Sequence, residues 1–191
     1  MDTKPPFGTE LGSNQGVIGY SNGEKNHGSV GGDSYVKDHF AGHKYQCVEY
    51  ARRWLILTKN LSFKSVFCAC DIWSINHLIS LDSNEKIPLV AIPNGSEVPP
   101  QVGAILIYKR RFFLPFGHVA IITHVDEKLN FICISEQNVD DVYWPGDYAR
   151  KLALENVNGG FFIQDKYALY GWMVYENIPK LREVKSKCVV F

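Results

Sequence analysis

Cys47 stands at the start of an apolar-periodic stretch, Tyr45-Gln46-Cys47-Val48-Glu49-Tyr50-Ala51, where coil should become helix. A thiol is mostly unionised at neutral pH, whereas attack on a carbonyl needs the thiolate. The first turn of a helix presents unpaired backbone N–H groups and the positive end of the macrodipole, and both favour the anion. A lone cysteine is equally at home as a small buried hydrophobe, so chemistry needs a partner base. His118 follows Gly117 and opens an apolar run to Thr123, and Glu136 closes the next run, Phe131-Ile132-Cys133-Ile134-Ser135-Glu136. If 118–124 and 130–136 pair as a hairpin around a 125–129 loop, His124 faces Asn130 and His118 faces Glu136, with Cβ atoms ~5 Å apart. A two-residue slip keeps the pair on one face but lengthens the contact. A carboxylate beside an imidazole fixes its tautomer and stabilises the imidazolium. Other histidines are poorer bases: His124 lies at the loop end of the hairpin, and His27, His39 and His43 fall in loops. Cys47, His118 and Glu136 are thus the candidate nucleophile, base and orienting carboxylate.

These residues need elements to carry them. Val48, Ala51 and Leu55, with Trp54 alongside, predict a helix from Gln46 to about Lys59, whose polar side holds Arg52, Arg53 and Lys59. A second helix is expected over Asp71–Leu81, with Asp71 as N-cap and Ile72, Ile75 and Ile79 on one face. The period then changes. Strands are expected at 87–92, 104–108, 118–124, 130–136, 161–164 and 169–175, with Pro93-Asn94-Gly95 as a turn and Lys109-Arg110-Arg111 as a solvated loop. Helices first and strands afterwards, joined by short connections, define an α+β fold, an antiparallel sheet with helices packed against it. Residues 1–34, rich in Gly, Asn and Ser, read as a mobile extended segment with one short strand at 16–20. They form either a plain terminus or a glycine-rich cover for a cleft.

The chain has 191 residues, enough for one domain with a substantial core, and 46% are apolar against 21% charged. Twenty basic and twenty acidic residues leave no net charge, which excludes a general nucleic-acid binder. No apolar run approaches the ~18–20 residues of a membrane span, and Met1-Asp2-Thr3-Lys4-Pro5-Pro6 has no signal-peptide character. Five irregularly placed cysteines fit free thiols in a reducing, cytoplasmic setting. Cys68-Ala69-Cys70 lacks the second pair that a four-ligand zinc site needs, so it is read as core, and no metal is expected. Lys185-Ser186-Lys187-Cys188-Val189-Val190-Phe191 has the form of a prenylation box with a modest basic flank that includes Arg182. Either Cys188 carries a lipid that gives weak, reversible membrane association, or it is an accidental cysteine in a tail spanning 177–191.

Taken in order, Tyr45-Gln46-Cys47-Val48-Glu49-Tyr50-Ala51-Arg52-Arg53, Pro93-Asn94-Gly95-Ser96, Gly117-His118-Val119-Ala120-Ile121-Ile122-Thr123, Glu136-Gln137-Asn138-Val139 and Gly171-Trp172-Met173 are similar to a known pattern. They resemble the amidase domain of glutathionylspermidine synthetase/amidases and trypanothione synthetase-amidases, a branch of the papain-like CHAP superfamily of cysteine amidases and peptidases. The resemblance runs from about Val17 to Tyr175. It implies a papain-like fold in a single amidase domain over 1–191, with Cys47 as nucleophile, His118 as base and acid, and Glu136 orienting it. It implies no cofactor and a small-molecule substrate in polyamine and thiol metabolism, the glutathione–spermidine amide, cleaved through a glutathionyl thioester. Arg52 would clamp a glutathione carboxylate, or else lie on the solvated side of its helix. Asn138 would line the cleft or shape a turn. Gln46 would join the Cys47 N–H as an oxyanion donor. The synthetase domain of the bifunctional proteins and any Walker pattern are lacking here, so cleavage without synthesis is expected. Peptidoglycan amidase or endopeptidase activity, and a non-catalytic binding module of the same fold, are the alternatives.

Overall fold

The stripe at 48, 51 and 55 does form a helix, α1 (Cys47–Lys59), in the computed structural model, which describes residues 4–23 and 31–178. Gln46 is its N-cap, and Asn60 ends it in the left-handed conformation with its N–H bonded to the Leu55 carbonyl. Every residue from Glu49 to Ile56 is buried, so the helix has no broad solvated side. Its polar residues are covered by β1 (Glu10–Asn14), β2 (Val17–Tyr20), β3 (Asp33–Val36) and β4 (His39–His43), two hairpins built from the N-terminal segment and the residues that follow it. Beyond α1 come β5 (Leu61–Ser62), a 3-10 helix (Ala69–Ser74), β6 (His77–Ser80) and β7 (Lys86–Pro88).

The main sheet comprises β8 (Val90–Pro93), β9 (Ile105–Tyr108), β10 (His118–Asp126), β11 (Phe131–Ser135), β12 (Arg150–Val157), β13 (Gly160–Gln164) and β14 (Leu169–Val174). Its order is β13-β12-β11-β10-β9-β14-β8, antiparallel throughout. One face, with Ile105, Ile107, Val119 and Ile121, packs on Tyr50, Trp54 and Leu55 of α1. The other face, with Leu106, Ala120, Ile122, Ile134 and Trp172, encloses a second core made of the sheet's own side chains. That is possible because the sheet rolls up. The β13 edge reaches the turn after β8, where Gly95 N–H donates to Phe161 O and Phe161 N–H to Ser96 O, and the Asn94 amide clasps Ile163. Where β14 pairs with β8, Gly171 has φ +149°, and a Cβ there would stand 2.0 Å from Ile92 O. Among the described residues no helix is long and apolar enough to cross a membrane.

The α+β class and antiparallel sheet stand as expected, with five differences. The expected helix over 71–81 is one 3-10 stretch followed by strand β6. Asp71 is not its N-cap; Cys68 is, and Asp71 closes a capping box by accepting the Cys68 N–H at 3.0 Å. Ile72 and Ile75 are one 3-10 turn apart and Leu78 is the inward position of β6, so the spacing serves both periods. The 118–136 hairpin closes at Asp126 and Phe131, and a bulge follows between Ile122 and His124. His124 therefore faces Cys133, and His118 pairs with Tyr108 of β9 instead of Glu136. Within 1–34, the described residues form the β1–β2 hairpin, whose Leu11 and Val17 are buried, and the strand β3. Trp144 lies flat on this hairpin, where a Cβ on Gly19 would meet its ring at 2.4 Å. Finally, His39 and His43 sit on β4, not in loops, and β12 was not anticipated. His27 and the Cys188 tail fall outside the described residues.

Candidate active site

Cys47 is the first residue of α1 and is half-buried. His118 opens β10 and Glu136 directly follows β11, both buried. Although the two are not cross-strand partners, the register slip leaves them on one face, and His118 Nε2 meets Glu136 Oε2 at 2.8 Å. Cys47 lies close enough for its charge to act on the same imidazole. Glu136 occupies Nε2, which leaves Nδ1 as the ring nitrogen that could serve the sulfur. The structure thus brings the three predicted residues together.

Their charges are strongly coupled. Burial disfavours the His118 imidazolium, but the charge and hydrogen bond of Cys47 and those of Glu136 outweigh it and raise the pKa to about 9. Glu136 is driven the other way. Burial would raise it, yet His118 and Arg150 hold it down to about 2. At neutral pH the pair is therefore carboxylate beside imidazolium.

Arg150, the first residue of β12, donates from Nε to Glu136 Oε1 and from Nη2 to Oε2 at 3.1 Å. Its Nη1 reaches Asp165 Oδ1 at 3.0 Å and its Nη2 the Tyr108 hydroxyl at 3.2 Å, while Tyr108 donates to Asp165 Oδ2 at 2.8 Å. The Tyr108 ring also lies 5.2 Å from the His118 ring. The carboxylate that holds the histidine is itself held from behind. No spacing in the sequence pointed to Arg150, Asp165 or Tyr108, since they come from three strand ends that only the sheet order places together.

A second network locks α1 to the segment after β11. Glu49, fully buried, accepts from Ser34 Oγ at 2.8 Å, Arg53 Nε at 2.7 Å and Gln137 Nε2 at 2.9 Å. Gln137 also donates to the Gln46 carbonyl and accepts the Tyr20 N–H. Gln46 Oε1 accepts from Asn138 Nδ2 at 2.8 Å, and Asn138, at φ +61°, accepts from Asn22. Gln46 and Asn138 are therefore at the site, tied to each other beside Cys47.

Arg52 is not. Its side chain points away from solvent, is 3% exposed, and donates to three backbone carbonyls, those of Ala41 (2.7 Å), Phe63 (3.2 Å) and Lys64 (3.3 Å). The Phe63 ring covers it at 4.5 Å, and burial lowers its pKa to about 10. With its fork spent on the backbone, it is a buried brace; neither the carboxylate clamp nor the solvated position expected for it holds. The Cys68-Ala69-Cys70 pair also gains a neighbour, for its sulfurs and an Asp71 carboxylate oxygen lie within 4.8 Å of one another. That is one ligand fewer than a closed zinc site. A cavity of about 330 Å³ lies between His39, Phe63, Lys64 and His77 and includes none of the three candidate catalytic residues.

An antiparallel sheet, a thiol at the start of the helix packed on it, and a buried imidazole–carboxylate pair define a class. The profile of the CHAP domain matches residues 38–138, and the chain belongs to that family of amide hydrolases. Among individual proteins, it is 33% identical over 184 residues to the trypanothione synthetase of Crithidia fasciculata, which covers 92% of this chain and 28% of the relative. It is 39% identical over 147 residues to the bifunctional glutathionylspermidine synthetase/amidase of Escherichia coli (strain K12), covering 74% and 23%. The chain thus spans about a quarter of the length of these relatives. The crystal structure of Ly7917 with the hydrolyzing product of MDP superposes with a TM-score of 0.39 at 16% identity over 68% of this chain and 53% of that one, a likeness too loose to weigh.

Proposed function

We propose that the protein is a cysteine amidase that cleaves the amide between the glutathione glycine carboxyl and spermidine. The observation that carries this reading is the buried His118, fixed by Glu136 through Nε2 and close enough to Cys47 for the two charges to act on each other. The Cys47 sulfur attacks the amide carbonyl, and His118, as imidazolium, passes its Nδ1 proton to the departing spermidine nitrogen. The product is a glutathionyl thioester on Cys47 and free amine. Neutral His118 then takes a proton from water, hydroxide adds to the thioester, and glutathione leaves as the sulfur regains its charge beside the imidazolium. The oxyanion of each tetrahedral intermediate is met by the Cys47 backbone N–H, a first-turn donor without an intrahelical partner. Gln46 and Asn138 border that position.

The substrate assignment is supported by the relatives, one named as a glutathionylspermidine synthetase/amidase and one as a trypanothione synthetase. Incubation with glutathionylspermidine should release glutathione and spermidine with the wild-type protein and not with Cys47→Ala. Release of product by Cys47→Ala would refute the mechanism. Binding without turnover in both would make this a binding module. Cleavage of peptidoglycan fragments in preference would keep the mechanism and replace the substrate.

A further inference from the structure

The loop between β9 and β10 is not an ordinary solvated loop. Arg111 and Leu114 exchange backbone hydrogen bonds, N–H to O at 3.1 and 2.9 Å, which closes a two-residue turn with Phe112 and Phe113 at its tip. These rings are 90% and 84% exposed and contact each other edge to face at 5.1 Å. At the base of the finger Phe116 is half-exposed and packs against Phe67, itself 87% exposed, and the Cys70 N–H donates to Phe116 O. Behind the tip stand Arg110 and Arg111, both exposed, and Lys109. Arg110 Nε donates to Pro115 O across the finger. Residues 109–118 contain no acidic side chain.

We propose that this finger docks the protein on an anionic phospholipid surface. Water-exposed aromatic rings at a chain reversal are unfavourable in solution, and they partition to the boundary between headgroups and acyl chains. A strand residue advances ~3.3 Å, so with Phe112 and Phe113 at that boundary the guanidinium groups of Arg111 and Arg110 lie at phosphate depth. There they meet opposite charge, and each adds attraction to an anionic leaflet. A convex two-residue tip suits a fluid layer, which closes around it, better than the flat matching face of a protein interface. The finger runs directly into Gly117-His118, so docking sets the histidine end of β10 one residue from the lipid-facing loop. The inference is independent of the substrate and of any lipid on Cys188.

The test uses the full chain made in bacteria and carrying Cys188→Ser, sedimented with vesicles of phosphatidylcholine alone or with about 30% phosphatidylserine. Binding to the anionic vesicles is expected at least ~10-fold above the neutral ones. Phe112→Ala/Phe113→Ala should lose ~10-fold or more, and Arg110→Gln/Arg111→Gln about 30-fold on anionic vesicles only. Unchanged melting by circular dichroism shows that the variants are folded. Phe113→Trp should show blue-shifted emission on adding anionic vesicles. A protein that stays in the supernatant with both vesicles overturns the proposal. So does binding that survives loss of the two phenylalanines, or a phenylalanine-dependent dimer that ignores vesicles.

Discussion

Glu136→Gln removes one charge and almost no volume, so its effect can be worked out from the contacts that the carboxylate makes. Glu136 accepts from three donors: His118 Nε2 at 2.8 Å, Arg150 Nε, and Arg150 Nη2 at 3.1 Å. An amide oxygen can serve only one side. If it turns to Arg150, its NH2 faces His118 Nε2, and neutral His118 must then carry its proton on Nδ1, toward the sulfur. In that tautomer it cannot accept a proton there, and without the carboxylate the imidazolium loses one of the two counter-charges that raise its pKa. Activity should fall ~10²–10⁴-fold, as when an orienting carboxylate is neutralised elsewhere. The alkaline limb of kcat/KM, expected near the His118 value of about 9, should move toward the ordinary imidazole range. Stripping a partner from a buried ion pair costs ~3–5 kcal/mol, and Arg150 keeps Asp165 and Tyr108, which points to about 3. For a domain of this size that is a fall in Tm of roughly 6–12 °C. Glutathionylspermidine turnover across pH and calorimetric melting report both effects. A variant within about threefold of wild type, with its alkaline limb unmoved, would refute the coupling of Glu136 to His118.

The same pair predicts how stability varies with pH. Glu136 lies below its unfolded value, so its contribution is full above pH about 4.5 and fades as pH falls toward 2; His118 lies above its own, so its contribution is full below 6.5 and is lost as pH rises through about 9. Urea melts from pH 5 to 10 should show the alkaline decline, and His118→Gln should flatten it. Arg52→Lys removes a fork that serves three carbonyls, so it should cost about 2–3 kcal/mol in calorimetric melting while leaving KM within about twofold; a raised KM without loss of stability would return Arg52 to the substrate. Gly171→Ala should cost about 3 kcal/mol or more and lower soluble yield, because its Cβ would meet Ile92 O at 2.0 Å; a melting point equal to wild type would contradict the close approach of β14 to β8.

Much of this molecule can be read in one dimension. Val48, Ala51 and Leu55 mark a helix whose first residue is a cysteine, and the apolar runs at 105–108, 118–124 and 131–135 mark strands, because burial on a helix or sheet leaves a periodic trace. A two-residue uncertainty in the hairpin register changes contact distances but not which face a side chain takes, so His118 and Glu136 could be placed on one face without the right pairing. Polar residues gave the opposite experience. Arg52 and Arg53 follow helical spacing as a solvated side would, and nothing local says that two N-terminal hairpins will cover them. Ile72, Ile75 and Ile79 suit an α-helix by spacing, yet the pairing of 77–80 with β5 and β7 leaves room for one 3-10 stretch only, begun by the cap at Cys68 and ended at Ile75.

Local chemistry, then, marked the candidate nucleophile, its helix, the histidine strand and the carboxylate strand, since each depends on residues within a turn or a strand of itself. Tertiary structure alone decided what surrounds them. Arg150 and Asp165 behind Glu136, and Glu49 and Gln137 beneath the helix start, are set by strand order and by the packing of α1 on the sheet. Those contacts join positions from 14 residues apart, Arg150 and Glu136, to 88 apart, Gln137 and Glu49, and electrostatic support of that kind has no period to betray it.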